Sequence, residues 1–276
     1  MEPKNQALEA AKQAARCISF DLSLSSDRVP TVALVLGTGW GNTLHLNNER
    51  SMFFDKIDGF TDLIHLDGHE RVVACGDLNG RRVIVLRGRI HMNEHPTDEN
   101  IPDMVRLQIQ MLCELGVKSF ILTNAVGGLE DNLKYGSVVV ANGLIMLFAG
   151  AMPLYAGEFV SPAKLLSPDL QDLAISCAPK GLEVRFGVYS MIRGPAFESR
   201  QDKNLLILAG AKTVGMSLLP ELHVLALYPD TEAVCLSLVT DELDETADHT
   251  TNQKRAGDSA ALLGEYLECI VACLDA

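Results

Sequence analysis

Apolar residues in this chain fall into short unbroken runs, and between the runs they recur at helical spacing. Thr31-Val32-Ala33-Leu34-Val35-Leu36 is almost wholly apolar, which suits a strand covered on both faces. Residues 71–78 and 82–86 flank Asn79-Gly80, a pair that favours the positive φ angles of a tight hairpin turn. Phe120-Ile121-Leu122 and residues 137–141, 184–192, 213–216 and 232–240 predict further strands. Residues 1–20 put Leu8, Ala11, Ala15 and Ile18 on one helical face. Residues 99–115 place Ile101, Met104, Val105, Met111, Leu112 and Leu115 at helical spacing, with Gln108 as the one polar interruption and Gly116 as a C-terminal cap. More helices are expected at 199–209, 220–228 and 256–274. Residues 143–168, with Gly150, Pro153, Gly157 and Pro162, read as a long surface loop, and such loops in compact domains are usually functional. The alternation of strand and helix predicts an α/β sheet with helices on both faces. No repeat or linker interrupts it, so the chain reads as a single domain over residues 1–276, with 1–30 as an N-terminal helical extension.

Composition narrows the class. At 276 residues, 47% hydrophobic and 21% charged, the chain has material for a substantial core. A net charge of −13 argues against nonspecific nucleic-acid binding, which needs a basic footprint. It leaves room for a local basic pocket that takes a small anion. There is no apolar run of bilayer length, and the segment carrying Glu2, Lys4, Asn5, Glu9 and Lys12 lacks a signal-peptide core, so a cytoplasmic location is expected. The seven cysteines are an odd number without a C-x-x-C pair, and free thiols in a reducing compartment fit best.

Polar chemistry gathers where the expected strands end. Val83-Ile84-Val85-Leu86 runs into Gly88-Arg89-Ile90-His91-Met92-Asn93-Glu94-His95-Pro96. Arg89 and His91, alternating on an extended segment, would grip an anion from one side. Alternatively, His91-x-x-Glu94-His95 matches a zinc-protease spelling, which needs a helix that Pro96 disfavours at His95. Gly37-Thr38-Gly39-Trp40-Gly41 suggests a phosphate cradle of backbone N–H groups, but Asn42 replaces the third glycine of a dinucleotide fingerprint. Asn124-Ala125-Val126-Gly127-Gly128 repeats the device, and Gly215-Met216-Ser217 adds a second hydroxyl. Phe197-Glu198 offers an aromatic face beside a carboxylate, suited to a planar heterocycle, and Thr240-Asp241 ends another strand with a second carboxylate. Together these groups fit an enzyme holding a phosphate and a planar base.

Taken in order, Gly37-Thr38-Gly39, Gly68-His69, Gly88-Arg89-Ile90-His91-Met92-x-Glu94, Thr123-Asn124-Ala125-x-Gly127-Gly128, Gly194-Pro195-x-Phe197-Glu198 and Gly215-Met216-Ser217-x-x-Pro220-Glu221 resemble the trimeric purine nucleoside phosphorylases, close kin of methylthioadenosine phosphorylases, over residues 31–275. The resemblance implies a central mixed β-sheet partly closed into a barrel and flanked by helices. It implies reversible phosphorolysis of purine nucleosides by a homotrimer active in purine salvage, with inorganic phosphate as co-substrate and no metal or organic cofactor. Phosphate would be held by Thr38, His69, Arg89, His91, the Ala125 amide and Ser217. The base would be held by Phe197, Glu198, Met216 and Asp241, and the ribose by Met216, Asn93, His249 and a neighbouring subunit's Phe159. Asp241 and His91 are the implied catalytic pair. The alternatives are a methylthioadenosine phosphorylase, a non-catalytic nucleoside-binding protein and a zinc hydrolase.

Several positions depart from the family pattern. Asn93 stands where a Tyr often contacts the ribose, the 143–168 segment is short, and Thr250 competes with His249 for the ribose role. Asp241 stands where members that prefer 6-oxopurines have Asn and adenosine-type members have Asp. Two nearby carboxylates cannot both ionise cheaply, so Asp241 is expected to hold a proton in the substrate complex and act as general acid toward purine N7.

Overall fold

The continuous apolar runs become strands because each is buried on both faces. In the computed structural model, which describes residues 2–24, 29–63, 70–95, 98–245 and 249–274, they build a mixed sheet of nine strands. These are β1 (Val32–Leu36), β2 (Asn47–Phe53), β3 (Val72–Leu78), β4 (Arg81–Arg87), β5 (Ser119–Gly128), β6 (Val138–Ile145), β7 (Val184–Met191), β8 (Thr213–Gly215) and β9 (Glu232–Asp241). The strand order is β2-β3-β4-β1-β5-β8-β7-β6-β9, and a further pairing of β5 with β9 closes five strands into a barrel. This is the expected α/β architecture, a mixed sheet partly closed and flanked by helices.

The helices are α1 (Pro3–Asp21), α2 (Ile101–Glu114), α3 (Pro168–Ser176), α4 (Arg200–Leu208), α5 (Leu219–Leu225), α6 (His249–Asp258) and α7 (Ala260–Cys273). Side chains alternate across a strand, so β1 feeds two cores. Ala33 and Val35 pack with Ile18, Met104, Leu112 and Leu222 of α1, α2 and α5. Val32, Leu34 and Leu36 pack with Leu170, Leu267 and Ile270 of α3 and α7. The Asn79-Gly80 hairpin is present, with φ of 48° and 81°, joining antiparallel β3 and β4. Gly116 caps α2 at φ 99°.

β4, β1, β5 and β9 lie side by side and parallel, so their carboxyl ends share one edge of the sheet. That alignment positions the site.

Some boundaries differ from the pattern-based expectation. Residues 143–145 are not loop; they continue β6 past a register shift between Ala141 and Gly143. The 256–274 helix is two helices, with Ser259 between them. β2 was not foreseen because it is an edge strand exposed at almost every position, so it has no apolar alternation to show. α3 carries an N-cap at Ser167, whose hydroxyl accepts from Leu170 N–H, and Pro168 in its first turn. Nor is Gln108 alone on α2, since Arg106 and Gln110 are buried beside it.

Candidate active site

The ends of β1 and β4 carry the anion-binding candidates. Gly37 runs so close to β5 that a Cβ there would lie 2.7 Å from the Thr123 carbonyl oxygen, and its N–H donates to Thr123 Oγ1 at 3.0 Å. The buried Trp40 donates from Nε1 to the Asn124 carbonyl at 3.0 Å. These two bonds tie the Gly-rich turn to β5 and leave Thr38 at the cavity edge. Arg89 is buried, with Nη1 2.8 Å from Glu221 Oε2 and Nη2 donating to the carbonyls of Val35, at 3.1 Å, and Thr123. Its guanidinium is therefore an immobilised cation, held from beneath by α5 and two strands. The polar interruption of α2 has a purpose here. Gln108 accepts from Ile90 N–H at 2.8 Å and donates to Ile90 C=O at 3.1 Å, pinning the backbone between Arg89 and His91.

Glu94 orients His91. It accepts from the His91 backbone N–H at 2.8 Å, lies 3.2 Å from His91 Nδ1, and takes Arg71 Nη2 at 2.6 Å on its other oxygen. A carboxylate on Nδ1 selects the tautomer that carries its proton there and fixes the ring at the cavity wall. Ser217 is fixed differently. Leu218, fully buried, has φ 71° and ψ −49°, in a γ-turn closed by Leu219 N–H to Ser217 C=O at 2.9 Å. That conformation is strained for a residue with a side chain, and such strain clusters at functional sites. Tyr189 adds a hydroxyl donating to the Ser217 carbonyl at 2.6 Å.

The other side of β5 carries the base-binding candidates. An extra residue in β9, Thr240, shifts the register between Val126 and Gly127 so that Gly127 faces Asp241. A Cβ on Gly127 would sit 2.8 Å from Asp241 Oδ2 and 3.2 Å from Glu198 Oε1, so two carboxylates converge over a residue that has no side chain. Both are almost fully buried. Burial pushes the Glu198 carboxyl above its ordinary range, and the neighbouring Asp241 adds to the rise. Thr240 Oγ1 lies 3.3 Å from Asp241 Oδ1. Phe197 leaves much of its ring exposed, and Asn93 Nδ2 is 3.6 Å from Met216 Sδ between the two halves.

One cavity of about 490 Å³ joins these groups. Thr38, Arg89, His91, Ala125 and Ser217 line it, as do Asn93, Phe197, Glu198, Met216 and Asp241. Phe159 is not among the lining residues; it is 97% exposed on the surface. His69 lies outside the described residues, and so do the side chains of His249 and Thr250 at the start of α6. The zinc spelling finds no helix: residues 91–95 form turns and bends, and Glu94 is already engaged by His91 and Arg71. Among the described residues, the one cluster with metal-ligand spacing is Cys177, Cys269 and Cys273.

Sequence reasoning did not assign roles to Glu221, Glu94, Gln108 or Lys203. Glu221 and Glu94 entered as members of the ordered motifs, and Glu94 also in the zinc spelling, but neither was given a role. Lys203, an apparent surface lysine, has a buried side chain whose Nζ is 4.0 Å from Glu198 Oε1.

Residues 31–272 match the model of the Phosphorylase superfamily. A purine nucleoside phosphorylase from Mycobacterium leprae is 31% identical over 211 residues, which cover 76% of this chain and 75% of that protein. A schistosoma purine nucleoside phosphorylase solved in complex with hypoxanthine superposes with a TM-score of 0.85 at 28% identity, covering 97% of this chain and 98% of that one. The Schistosoma mansoni enzyme solved with inosine also gives 0.85, at 27% identity and 97% coverage of each chain. The ordered strand-end motifs and the barrel they sit on thus have the same explanation: the chain belongs to the phosphorylase superfamily, in its purine nucleoside phosphorylase family.

Proposed function

We propose that this protein catalyses the reversible phosphorolysis of purine ribonucleosides and deoxyribonucleosides, releasing the base and forming (deoxy)ribose 1-phosphate. The observation that carries this reading is the joining of two chemically different sets in one cavity: Thr38, Arg89, His91 and Ser217, suited to an anion, and Phe197, Glu198 and Asp241, suited to a planar base. Relatives of the same fold bind inosine and hypoxanthine, a nucleoside and its base.

In the proposed reaction a phosphate oxygen forms a bond to C1′ as the C1′–N9 bond breaks. The sugar becomes cationic and the purine gains negative charge. Phosphate held by Arg89, His91, the two hydroxyls and the Ala125 amide stabilises that cation and attacks in line, so positioning and preorganised electrostatics do the work. On the base side Glu198 accepts from the purine ring N–H, and Asp241 supplies a proton or a hydrogen bond to N7. The chemistry calls for no metal or organic cofactor.

The proposal includes a homotrimer in which Phe159 reaches a neighbouring subunit's site, supported by its exposure and by Leu147, 88% exposed, in the same segment. It also includes a cytoplasmic role in purine salvage. All seven cysteines are free, and no described helix is long and apolar enough to cross a membrane. Asp241 favours a second reading as a methylthioadenosine phosphorylase, because a carboxylate accepts from a 6-amino group. Phosphate-dependent base release from inosine, guanosine, adenosine and methylthioadenosine separates the two. Binding without phosphate-dependent release from any of them would make the protein a nucleoside-binding module.

A further inference from the structure

α4 begins two residues after Glu198, with a capping box in which its N-cap Ser199 and Asp202 bond each other. The next residue, Lys203, turns inward, and its side chain is 7% exposed. A buried ammonium is costly unless its protons find acceptors. Here Nζ donates to the carbonyls of Leu243, at 3.0 Å, and Glu245, at 2.9 Å, and stands 4.0 Å from Glu198 Oε1. One cation therefore joins the start of α4 to the segment that follows Asp241. The other charges of this region have partners of their own, although the charge of Arg255 also reaches Asp241 and that of Lys203 also reaches Glu245. Arg255 of α6 takes Glu245 through two bonds, at 2.6 and 2.7 Å, and donates to the Thr240 carbonyl at 3.0 Å. Lys134 pairs with Glu242 at 2.8 Å. Asp202, the other acid near Glu198, is engaged by Ser199.

We propose that Lys203 is a positioning residue that keeps Glu198 ionised, and so a pure hydrogen-bond acceptor, leaving the proton of the two-carboxylate pocket to Asp241. The inference rests on the phosphorolysis reading above. Burial and the charge of Asp241 both drive Glu198 toward its neutral form, while Lys203 and the Glu198 backbone N–H oppose them. A neutral Glu198 keeps only its carbonyl oxygen as an acceptor, weaker than the anion, and adds an O–H that a purine N–H cannot receive, so the base is held less tightly. Lys203 thereby also assigns the proton: with Glu198 held as the anion, repulsion falls on Asp241, the group facing it across Gly127.

The test compares wild type with Lys203→Met and Lys203→Arg, after thermal unfolding has shown that each variant folds. It measures kcat and KM for inosine against pH at saturating phosphate. Removing the cation raises the Glu198 pKa, so the acidic limb of kcat/KM moves to higher pH by about one unit, which is about tenfold on the acidic side. The loss appears in KM for the nucleoside, with the phosphate KM unchanged. Lys203→Arg restores the limb. In a Glu198→Gln background, Lys203→Met adds little, because the two act as one unit. A uniform loss across pH with an unmoved limb would reduce Lys203 to a tether for residues 243–245. Independent, multiplying losses in the double variant would likewise overturn the proposal. Should wild type release no base with phosphate at any pH, the phosphorolysis reading fails by itself. The pH dependence of hypoxanthine binding in wild type and Lys203→Met, followed by calorimetry, then decides the role of Lys203 without turnover.

Discussion

Arg89 Nη1 lies 2.8 Å from Glu221 Oε2, with side-chain exposures of 1% and 2%. The residue proposed to hold phosphate is thus half of a buried ion pair before any phosphate arrives. Among the described residues Glu221 Oε1 has no hydrogen-bond partner, so the pair is one-sided. Buried pairs add little net stability, but losing one partner is expensive because the other charge is stranded.

Arg89→Ala is expected to lower unfolding stability by about 3–5 kcal/mol as well as to impair phosphate use. The two effects separate in a double variant. Replacing Arg89 and Glu221 together by Met should bring stability back close to wild type in urea unfolding. The apparent phosphate affinity should stay weaker by roughly tenfold or more, the cost of losing a charge-assisted donor. Recovery of phosphate affinity along with stability would remove Arg89 from the anion shell.

Gly127 offers a cleaner probe of the base pocket, since its backbone is ordinary and only space is at issue. A methyl group there would meet Asp241 Oδ2 at 2.8 Å and Glu198 Oε1 at 3.2 Å. Overpacking of this kind costs about 1–3 kcal/mol. Gly127→Ala should therefore raise KM for purine nucleosides about tenfold while the phosphate KM holds. Equal weakening of both substrates would mean that Gly127 matters to the fold and not to the base.

Asp241→Asn keeps shape and hydrogen-bonding reach but cannot supply a proton. Adenosine turnover should suffer more than inosine turnover, and the acidic-group dependence of kcat should shift. Equal losses on both nucleosides, with an unchanged pH profile, would show that Asp241 neither reads the base nor donates to it.

Phe159 and Leu147 project from one segment at 97% and 88% exposure, which is unusual for large apolar side chains of one loop. Sedimentation should give a trimer, and Phe159→Ala should raise nucleoside KM without unfolding the protein. A fully active monomer would sink the shared-site idea.

The strands were legible wherever burial on both faces wrote an uninterrupted apolar run, as in β1 and β9. β2 was not, because an exposed edge strand held by backbone bonds has no such signature. The division of α6 from α7 at Ser259 was equally silent. Of the candidate site, the residues at strand ends could be named individually, because parallel strands bring their carboxyl ends to one edge. The unanticipated contributors, Glu221, Gln108 and Lys203, lie on helices. There a buried polar side chain looks like a solvated one until a neighbouring element covers it.

The order of apolar runs and glycine turns in the chain was enough to determine an α/β sheet and its polar rim; the family resemblance came from the six ordered motifs. Those features depend on local periodicity and on which residues tolerate close backbone approach. Tertiary structure alone decided that Arg89 is paired with Glu221, that Glu94 turns His91, and that Lys203 stands beside Glu198. Arg89 and Glu221 meet across 132 positions where α5 packs on the sheet, while the other two contacts join near neighbours in the chain whose local turns no periodicity announces. A charge acquires its partner, and hence its chemistry, only when that packing removes water from between them.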